Sequence, residues 1–404
     1  MEVIFFTDSF PPMRDGVAAV TNGLARSIRR LGHSVHVFAP HPIVGAPTEE
    51  LEVDGVALTR VRSLPVPLYP QYRWPLNPLA LLRERRGVGD ADVLHIHSPG
   101  GIGSAGFLTS RRYALPLVGT FHTNIAEMQG SFPSRFLVPT FFRIAAWYNL
   151  GTYWRCDVAT APSTAARDAL LARARKPFRH PVEVVPNGID VDRFRPGLRV
   201  PDWRARCGLP LDPLVTYLGR LTVDKGVHRF LDAVEASLAR TDLVAIVGGS
   251  GPEEAAVRER IRASPRLAER VRYVGPVAEE EKASLLSQTD LFVLPSTSDT
   301  SSVALMEAMA SGAMVLAPAA GGAAEVVEDG VTGVRVPVLE PGALARAVTE
   351  QIDRPEERRR IARQGADGVR RTSSLDTMAR RFISLYEMAI TSRSSRDRRS
   401  AARD

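Results

Sequence analysis

Four charged side chains in the second half of the chain have the types and the spacing needed to bind an activated, phosphorylated substrate. Arg220 and Lys225 follow one apolar run, and Asp299 and Glu307 lie eight positions apart after another. Two cations suit a diphosphate, because Arg offers a planar fork of donors and Lys a compact point charge. A carboxylate on a helix suits the hydroxyls of a ribose. Together they predict a site for a nucleotide-linked group.

Backbone groups near these side chains fit the same chemistry. Gly219 ends a predicted strand before Arg220, and the N–H groups of Ser302 and Val303 open a predicted helix, where phosphate can bind. Each charge-assisted contact is worth about 1.5–3 kcal/mol, and a helix N-terminus adds about 0.3–1 kcal/mol. The alternative is that charged residues face solvent, in a chain with 24% charged residues, and that Asp299 caps the helix.

The elements that must position these residues form two similar halves, since 404 residues exceed what one core usually supports. Apolar runs predict strands in the first half at Val3–Phe6, Val35–Phe38, Val93–Ile96, Leu117–Thr120, Val158–Ala161 and Val182–Val185. In the second half they predict strands at Leu214–Leu218, Leu243–Val247, Val271–Val274, Leu291–Leu294 and Ala313–Ala317, with an edge strand at Val334–Val336. Helical patterns lie between several of them, as at Val17–Leu31. This alternation predicts two doubly wound α/β domains, with the polar clusters at the carboxyl ends of the strands, in a cleft between the domains.

Composition excludes several classes of protein. Cys156 and Cys207 lack metal-ligand spacing, so neither a disulfide framework nor a zinc site is expected, and a reducing cytoplasm fits. Met1–Phe6 enters a strand pattern at once, so no signal peptide is expected. The longest apolar stretch, 136–154, is interrupted by Pro139 and Arg143, which argues against a membrane span.

The net charge of +7 is partly carried by the tail. Residues 392–404 hold five Arg and two Asp, a net +3, which leaves +4 for the rest. Such a Ser/Arg tail is typical of disorder. No aromatic-interleaved basic motif favours nucleic acid, so an anionic nucleotide substrate or an anionic membrane surface fits the basicity better, and plain solubility is the alternative. Residues 132–154 mix aromatic and Arg side chains, and they form either a membrane-surface patch for a lipid acceptor or a helix packed into a core.

An ordered set of motifs resembles one known family over roughly residues 1–390. The motifs are Gly16-Val17, Gly119-Thr120-Phe121-His122-Thr123, Ala161-Pro162-Ser163, Pro186-Asn187-Gly188-Ile189-Asp190, Gly219-Arg220 with Lys225-Gly226, and the Asp299–Glu307 block. In this order they are similar to those of the retaining glycosyltransferases of family 4. The resemblance implies the GT-B fold, an α/β architecture of two facing Rossmann-like doubly wound domains with an interdomain cleft.

The resemblance also implies roles for individual residues. Arg220 and Lys225 would hold the donor diphosphate, Glu307 the ribose, and Asp299 the sugar hydroxyls. His122 would lie near the anomeric centre, although a structural histidine is the alternative. The expected catalytic residues are therefore His122, Asp299, Arg220 and Lys225, and the expected substrate-binding residues are Gly16, Val17, Gly219, Ser302, Val303 and Glu307.

One departure from the family pattern bears on the donor. The family usually has Glu followed by Phe-Gly where this chain has Asp299, Thr300, Ser301 and Ser302. Asp is shorter than Glu by one carbon–carbon bond, about 1.5 Å. A sugar held by this carboxylate would sit closer or be a different sugar. Ser302 in place of Gly could restrict the backbone that faces the phosphate.

The sequence thus predicts a transferase that moves a hexose, such as mannose or glucose, from a nucleoside diphosphate sugar to a hydroxyl of a glycolipid precursor or small metabolite. Residues 1–193 would bind the acceptor and residues 200–372 the donor. A helix at 373–391 would pack back toward the first domain, ahead of a disordered tail at 392–404. No metal or cofactor is expected. The expected location is the cytoplasm, with peripheral contact at the inner face of the membrane.

Other motifs allow rival interpretations. Gly101–Gly106 matches GxGxxG, which would suit a nicotinamide oxidoreductase, but the nearest acid at the expected distance, Glu127, lies in a polar loop. The pairs Asp190/Asp192 and Asp90/Asp92 mimic the Asp-x-Asp of metal-dependent transferases, yet neither adjoins the two cations. His95 and His97 leave one strand together without an evident third metal ligand. An epimerase or phosphorylase of the same fold, and a non-catalytic sugar-nucleotide-binding protein, remain alternatives.

Overall fold

The computed structural model describes residues 1–13, 15–66, 69–76, 88–122, 150–174, 176–178, 180–198 and 202–401. They form two compact units. Unit 1 comprises Met1–Gly188 together with Leu375–Asp404, and unit 2 comprises Ile189–Ser374. The chain therefore leaves unit 1 once and returns to it once.

Unit 1 is built on a largely parallel sheet. Its strands are β1 (Glu2–Phe6), β2 (Ser34–Pro40), β3 (Glu49–Val53), β4 (Val56–Val61), β5 (Ser63–Val66), β6 (Tyr69–Pro75), β7 (Val93–Ile96), β8 (Leu117–Thr120), β9 (Val158–Ala161) and β10 (Glu183–Val184). The main sheet has the order β10-β9-β8-β7-β1-β2-β4-β3, and only β3 runs antiparallel to its neighbour within it. Strands β5 and β6 form a separate antiparallel pair. The described helices are α1 (Gly16–Arg30), α2 (Gly101–Tyr113), α3 (Thr164–Ala172) and α12 (Leu375–Ala401).

Unit 2 has a fully parallel sheet. Its strands are β11 (Leu214–Leu218), β12 (Val244–Gly248), β13 (Val271–Gly275), β14 (Leu291–Val293), β15 (Met314–Pro318) and β16 (Val334–Val336). Its helices are α4 (Trp203–Arg206), α5 (Val227–Ser237), α6 (Glu254–Ala263), α7 (Pro265–Arg270), α8 (Glu279–Leu286), α9 (Val303–Ala310), α10 (Ala343–Asp353) and α11 (Pro355–Thr372), with 3-10 helices at Val223–Lys225 and Ala324–Val326. The strand order is β13-β12-β11-β14-β15-β16. The order reverses between β11 and β14, and ligands of such sheets bind at the carboxyl ends of the strands beside this point.

The strands form where the sequence predicted them, because each is a short, β-branched apolar run that both faces of the sheet can bury. Val244, Ile246 and Val247 of β12, for example, are fully buried. Burying such a side chain is worth about 1.5–3 kcal/mol. The predicted strands of the second half are confirmed, with ends that differ by a single residue at most.

Several features differ from the sequence prediction. Strands β3 and β4 and the β5–β6 pair were not predicted, since β3 is exposed along its whole length and carries three Glu residues. The segment 190–202 was expected to link the domains, but Ile189 and Phe194 are buried in the core of unit 2, so the chain crosses between units earlier, after Gly188. Helix α12 continues to Ala401 through the tail expected to be disordered. Arg and Ala are good helix formers, and extending an existing helix requires no new nucleus.

Among the described residues, no helix is both long and apolar enough to cross a membrane.

Candidate active site

The loops that follow β11, β12 and β13 are hydrogen-bonded to one another at the carboxyl edge of the unit 2 sheet. Gly219 N donates to Gly248 O over 3.1 Å, and Gly249 N donates to Gly275 O over 2.8 Å. Gly249 has a φ of 139°, and a Cβ there would lie 1.8 Å from Gly219 O. Only glycine at position 249 therefore lets this loop approach the backbone next to Arg220. The carbonyl of Arg220 accepts a hydrogen bond from the Tyr217 hydroxyl over 2.8 Å.

Lys225 lies in the 3-10 helix directly before α5. This turn ends at Gly226, which has a φ of 74°, and a Cβ there would lie 2.3 Å from Pro295 O. The close approach brings the loop after β14 against the turn. Arg229, on the first turns of α5, donates from Nε to Pro295 O over 3.2 Å, and its Nη2 has no partner among the described residues.

Lys225 and Asp299 form an ion pair across the point where the strand order reverses. Lys225 Nζ lies 2.8 Å from Asp299 Oδ1, and both side chains are about 15% exposed. Asp299 Oδ2 is buried and has no partner within the part of the chain that the structure describes. The pair brings together two of the four predicted catalytic residues.

Asp299 does not cap the following helix. The cap of α9 is Ser302, whose hydroxyl accepts a hydrogen bond from Leu305 N over 3.3 Å. Ser302 has a φ of −91°, which any residue adopts, so serine in place of the family's glycine introduces no backbone strain. The capping interpretation of Asp299 is wrong, because a hydroxyl three residues later satisfies the helix end.

Asp224, in the 3-10 helix, accepts hydrogen bonds from the loop after β14 and so holds that loop against the helix. Its carboxylate accepts a hydrogen bond from the Ser298 hydroxyl over 2.7 Å, and its carbonyl accepts one from Thr297 N over 3.0 Å. Burial raises the pKa of Asp224, but side-chain hydrogen bonding and, to a smaller extent, the charges of Lys225 and Arg220 outweigh that effect, so the pKa is lowered. The two cations predicted for this edge therefore contribute to lowering the pKa of a neighbouring carboxylate, that of Asp224.

Glu307 lies inside α9 with only 3% of its surface exposed. Lys282 of α8 contacts both of its carboxylate oxygens, with Nζ 3.2 Å from Oε1 and 3.0 Å from Oε2. Burial raises the pKa of Glu307, and the charge of Lys282 opposes this shift in part. Glu307 is therefore a buried carboxylate with a built-in counterion, rather than the exposed helix carboxylate that was the alternative.

His122 lies two residues after the end of β8 in unit 1 and is part of a buried group of histidines. Its Nε2 lies 3.1 Å from Nδ1 of His97, and His97 Nε2 has no partner among the described residues. Burial lowers the pKa of His122 to about 4, so the ring is neutral near pH 7. His95 forms separate hydrogen bonds, with Tyr386 of α12 and with Thr120.

Gly16 and Val17 open α1 at the carboxyl end of β1. The helix is capped by Asp15, whose carboxylate accepts a hydrogen bond from Ala18 N over 2.8 Å. Gly16 is exposed and Val17 half-buried. Both residues lie at the point of unit 1 where the strand order reverses, between β1 and β7.

The GxGxxG segment is a packing motif rather than a dinucleotide site. Its glycines open α2, and the carboxylate of Asp8 accepts hydrogen bonds from Ile102 N over 2.8 Å and from Gly103 N over 3.4 Å. A Cβ at Gly106 would lie 2.6 Å from the Phe6 ring. The helix N-terminus already holds a negative group, so a pyrophosphate there would be repelled.

Asp8 should make stability pH-dependent. Burial raises its pKa from 3.8 to about 6, although backbone N–H groups of Ile102 and Gly103 lower it. The folded state therefore binds this proton more tightly than the unfolded chain. The contribution of Asp8 to the free energy of unfolding is largest below pH 4, and about 3 kcal/mol of it is lost as the pH rises to 6.

Asp8→Asn should remove this dependence. The free energy of unfolding of the wild type minus that of Asp8→Asn, measured by thermal unfolding, should decrease as the pH is raised from 4 to 6. Asp168→Asn, at an exposed carboxylate, should follow the wild type. A difference between Asp8→Asn and wild type that stays constant over this range would contradict the assignment.

The two Asp-x-Asp motifs also have structural roles. Asp190 Oδ1 accepts hydrogen bonds from the backbone N of Asp192 and Arg193, at 3.2 and 3.1 Å, and Asp92 accepts one from Glu2 N at 2.7 Å. Within the described ranges, no group of three or more His, Cys, Asp or Glu side chains could hold a metal ion. Residues 123–149, which contain Glu127 and most of the aromatic stretch 132–154, lie outside the described residues.

A cavity of about 430 Å³ in unit 2 lies at the opposite, amino end of the strands. Arg358 and Arg370 line it, but their guanidinium groups hydrogen-bond to backbone carbonyls of Gln351, Phe194 and Ala310. Arg358 also pairs with Asp290, with Nη2 3.4 Å from Oδ1, so both arginines already have partners in the packing of unit 2.

Sequence reasoning missed two parts of this edge. The turn Gly249-Ser250-Gly251 directly follows a predicted strand, so its glycines were a usable signal. Lys282 was hidden in the acidic run Glu279–Glu281, which looks like a solvated helix face. Gly16, Val17 and His122 belong to unit 1, and the other predicted residues belong to unit 2.

Comparison with known proteins identifies the family. The model of "Glycosyltransferase Family 4" matches residues 14–193, and that of "Glycosyl transferases group 1" matches residues 212–354. A GDP-mannose-dependent alpha-mannosyltransferase of Mycolicibacterium smegmatis is 34% identical over 376 residues, covering 89% of this chain and 90% of the relative. The chain is a family 4 glycosyltransferase.

Other relatives of this glycosyltransferase agree. A GDP-mannose-dependent alpha-mannosyltransferase of Mycobacterium tuberculosis is 30% identical over 357 residues, covering 87% of this chain and 89% of the relative. Anabaena HepE, solved in complex with UDP-glucose, superimposes with a TM-score of 0.75 at 19% identity, covering 96% of this chain and 99% of that one. The fold is GT-B, and the predicted transfer of a sugar from a nucleotide-sugar donor is confirmed. The nicotinamide oxidoreductase interpretation is wrong.

Proposed function

We propose that this glycosyltransferase transfers a mannosyl residue from GDP-mannose to an acceptor hydroxyl, with retention at the anomeric carbon and without a metal ion. The observation that carries the proposal is the ion pair between Lys225 and Asp299, where the strand order of unit 2 reverses. Arg220 leaves the neighbouring strand at the same edge. This edge offers cations for a diphosphate and a carboxylate for sugar hydroxyls.

The chemical need is to stabilise a leaving diphosphate while positive charge develops on the sugar. The bond between the anomeric carbon and the diphosphate oxygen breaks, and the acceptor oxygen bonds to that carbon on the same face. The acceptor's proton passes to an oxygen of the leaving diphosphate. Arg220, Lys225 and the amides that open α9 provide fixed positive charge where the negative charge grows. With these groups present, no divalent ion is required.

The donor proposal is supported by the relatives that are named as GDP-mannose-dependent. Asp299 adds a geometric reason for a distinct sugar preference. It is one bond shorter than the family's usual Glu, and Lys225 already holds one of its oxygens at 2.8 Å. The other oxygen, Oδ2, is then the one available to a sugar hydroxyl.

The acceptor is proposed to be a glycolipid precursor or a small metabolite, presented to unit 1 in the cytoplasm or at the inner face of an anionic membrane. Leu64 and Trp74 pair across the β5–β6 hairpin, and both side chains are exposed. An exposed Trp beside an apolar side chain supports contact with the apolar part of a lipid. The five Arg residues of the tail support attraction to anionic lipid.

A donor and acceptor panel tests the proposed function. The purified protein is incubated with GDP-mannose, GDP-glucose or UDP-glucose, each with and without EDTA. Vesicles containing glycolipid precursors, or soluble polyols, serve as acceptors. We expect acceptor-dependent release of GDP from GDP-mannose, undiminished by EDTA, and an α-linked product by NMR. Epimer formation without acceptor, binding without turnover, loss of activity in EDTA or a β-linked product would each contradict part of the proposal.

A further inference from the structure

The ribose-binding carboxylate predicted from the sequence, Glu307, has a charged partner, Lys282, outside the sequence motifs of the predicted site. Lys282 Nζ lies 3.2 Å from Oε1 and 3.0 Å from Oε2 of Glu307, within the upper part of the range for N–H···O hydrogen bonds. The ammonium side chain is 21% exposed and the carboxylate side chain only 4%. Glu307 thus has its counterion on one side and little contact with water.

Lys282 is itself fixed on its other side. Its ammonium lies 2.9 Å from Glu279 Oε2 and 5.9 Å from the centre of the Phe194 ring. Glu279 in turn lies 3.6 Å from Arg193. Arg193, Glu279, Lys282 and Glu307 therefore alternate in the sign of their charge. The Lys282 ammonium is held in one place by contacts with Glu307, Glu279 and Phe194.

The arrangement leaves Glu307 able to accept further hydrogen bonds. An ionised carboxylate has about four lone-pair sites, and Lys282 occupies one at each oxygen. In the part of the chain that the structure describes, Lys282 is the hydrogen-bond donor to these oxygens, which leaves one site on each for the two neighbouring hydroxyls of a ribose. A protonated carboxyl would lose acceptor sites and could not receive both hydroxyl protons.

We propose that Lys282 is a positioning residue for the donor: it supplies the counterion of Glu307 and holds this carboxylate in a single orientation, so that both carboxylate oxygens accept from the ribose hydroxyls. The inference rests on the proposed function, because it takes Glu307 as the group that contacts the ribose. Lys282 acts through Glu307 and does not contact the donor.

Lys282→Met is the direct test. We expect the KM for GDP-mannose to rise about tenfold or more at pH 7.5, with a much smaller change in kcat. As the pH is lowered from 7.5, the KM of this variant should rise at a higher pH than that of the wild type, because burial raises the pKa of Glu307 and the charge of Lys282 opposes that rise. Lys282→Arg should restore most of the wild-type KM, because it keeps a cation at the same place.

A donor lacking the ribose 2′-hydroxyl separates positioning from folding. The wild type should prefer GDP-mannose over 2′-deoxy-GDP-mannose at least tenfold, and Lys282→Met should reduce this preference to about threefold or less. The double variant Lys282→Met/Glu307→Gln, which buries no unpaired charge, should show the same reduced preference even if Lys282→Met is unstable.

The outcomes separate this inference from the proposed function. A wild type that transfers no sugar from any donor overturns the proposed function and, with it, this inference. A wild type that transfers mannose, with Lys282→Met or the double variant keeping the full preference for the ribose hydroxyl, overturns the inference alone. An unchanged KM in a folded Lys282→Met does the same.

Discussion

Replacing Lys225 with alanine is expected to lower kcat/KM for the donor by about tenfold to 150-fold. The substitution removes one charge-assisted phosphate contact, worth about 1.5–3 kcal/mol, and about 1.4 kcal/mol corresponds to a factor of ten. The loss should appear in steady-state kinetics with GDP-mannose, and the acceptor KM should change little. An effect below twofold would remove Lys225 from the site.

The ion pair with Asp299 requires its own control. Lys225→Ala leaves the Asp299 carboxylate without its partner in a place that is about 15% exposed, and an unpaired charge there can itself disturb the loop. The double variant Lys225→Ala/Asp299→Ala removes that charge as well. If Lys225 binds phosphate, the double variant is more impaired than Asp299→Ala alone, and if only the unpaired carboxylate does harm, the two variants have the same kcat/KM. Lys176→Ala, at an exposed lysine of unit 1, should behave as wild type.

Gly249→Ala is expected to have the largest combined effect on stability and donor binding. A residue other than glycine at a φ of 139° costs about 1–3 kcal/mol, and a Cβ 1.8 Å from Gly219 O must displace the loop that carries Arg220. We expect the free energy of unfolding to fall by at least about 3 kcal/mol and the donor KM to rise more than tenfold. Denaturant titration and kinetics measured well below the Tm would check both effects.

Gly330→Ala separates strain from displacement of the loop. Gly330 also has a positive φ, 71°, but no atom lies within 4 Å of the position of its added Cβ. This variant should lose only about 1–2 kcal/mol and keep the wild-type donor KM. Equal donor KM values for the two glycine variants would show that Gly249 does not support the Arg220 loop.

The sequence predicted those parts of the fold that depend on local patterns. Strands such as β12 are continuous apolar runs, and a buried parallel strand needs little else to be recognised. Arg220, Lys225, Asp299 and Glu307 were selected as candidates because their side chains suit a diphosphate and a ribose whatever the surrounding structure, and their roles remain predictions. The contact between Lys225 and Asp299 joins residues 74 positions apart, and only the adjacency of β11 and β14 creates it.

The parts that were missed depend on tertiary contacts. Lys282 is one charged residue in a charged helix, and its importance comes from a carboxylate 25 positions later. Strand β3 carries Glu residues on an exposed edge, so no apolar pattern marks it. The proposed capping role of Asp299 failed because Asp and Ser are both good caps, and only the backbone geometry shows that Ser302 is the one used.

The membership of α12 in unit 1 sets the order in which the nascent protein can mature. Unit 2 is contiguous and can be complete while α12 is still being synthesised. Until α12 is synthesised, unit 1 lacks two contacts that this helix supplies. Tyr386 is fully buried and hydrogen-bonds to His95, and Leu375 packs on Gly23. Unit 2, although translated later, can therefore finish folding before unit 1. Until α12 packs against it, unit 1 is incomplete and accessible to chaperones and proteases.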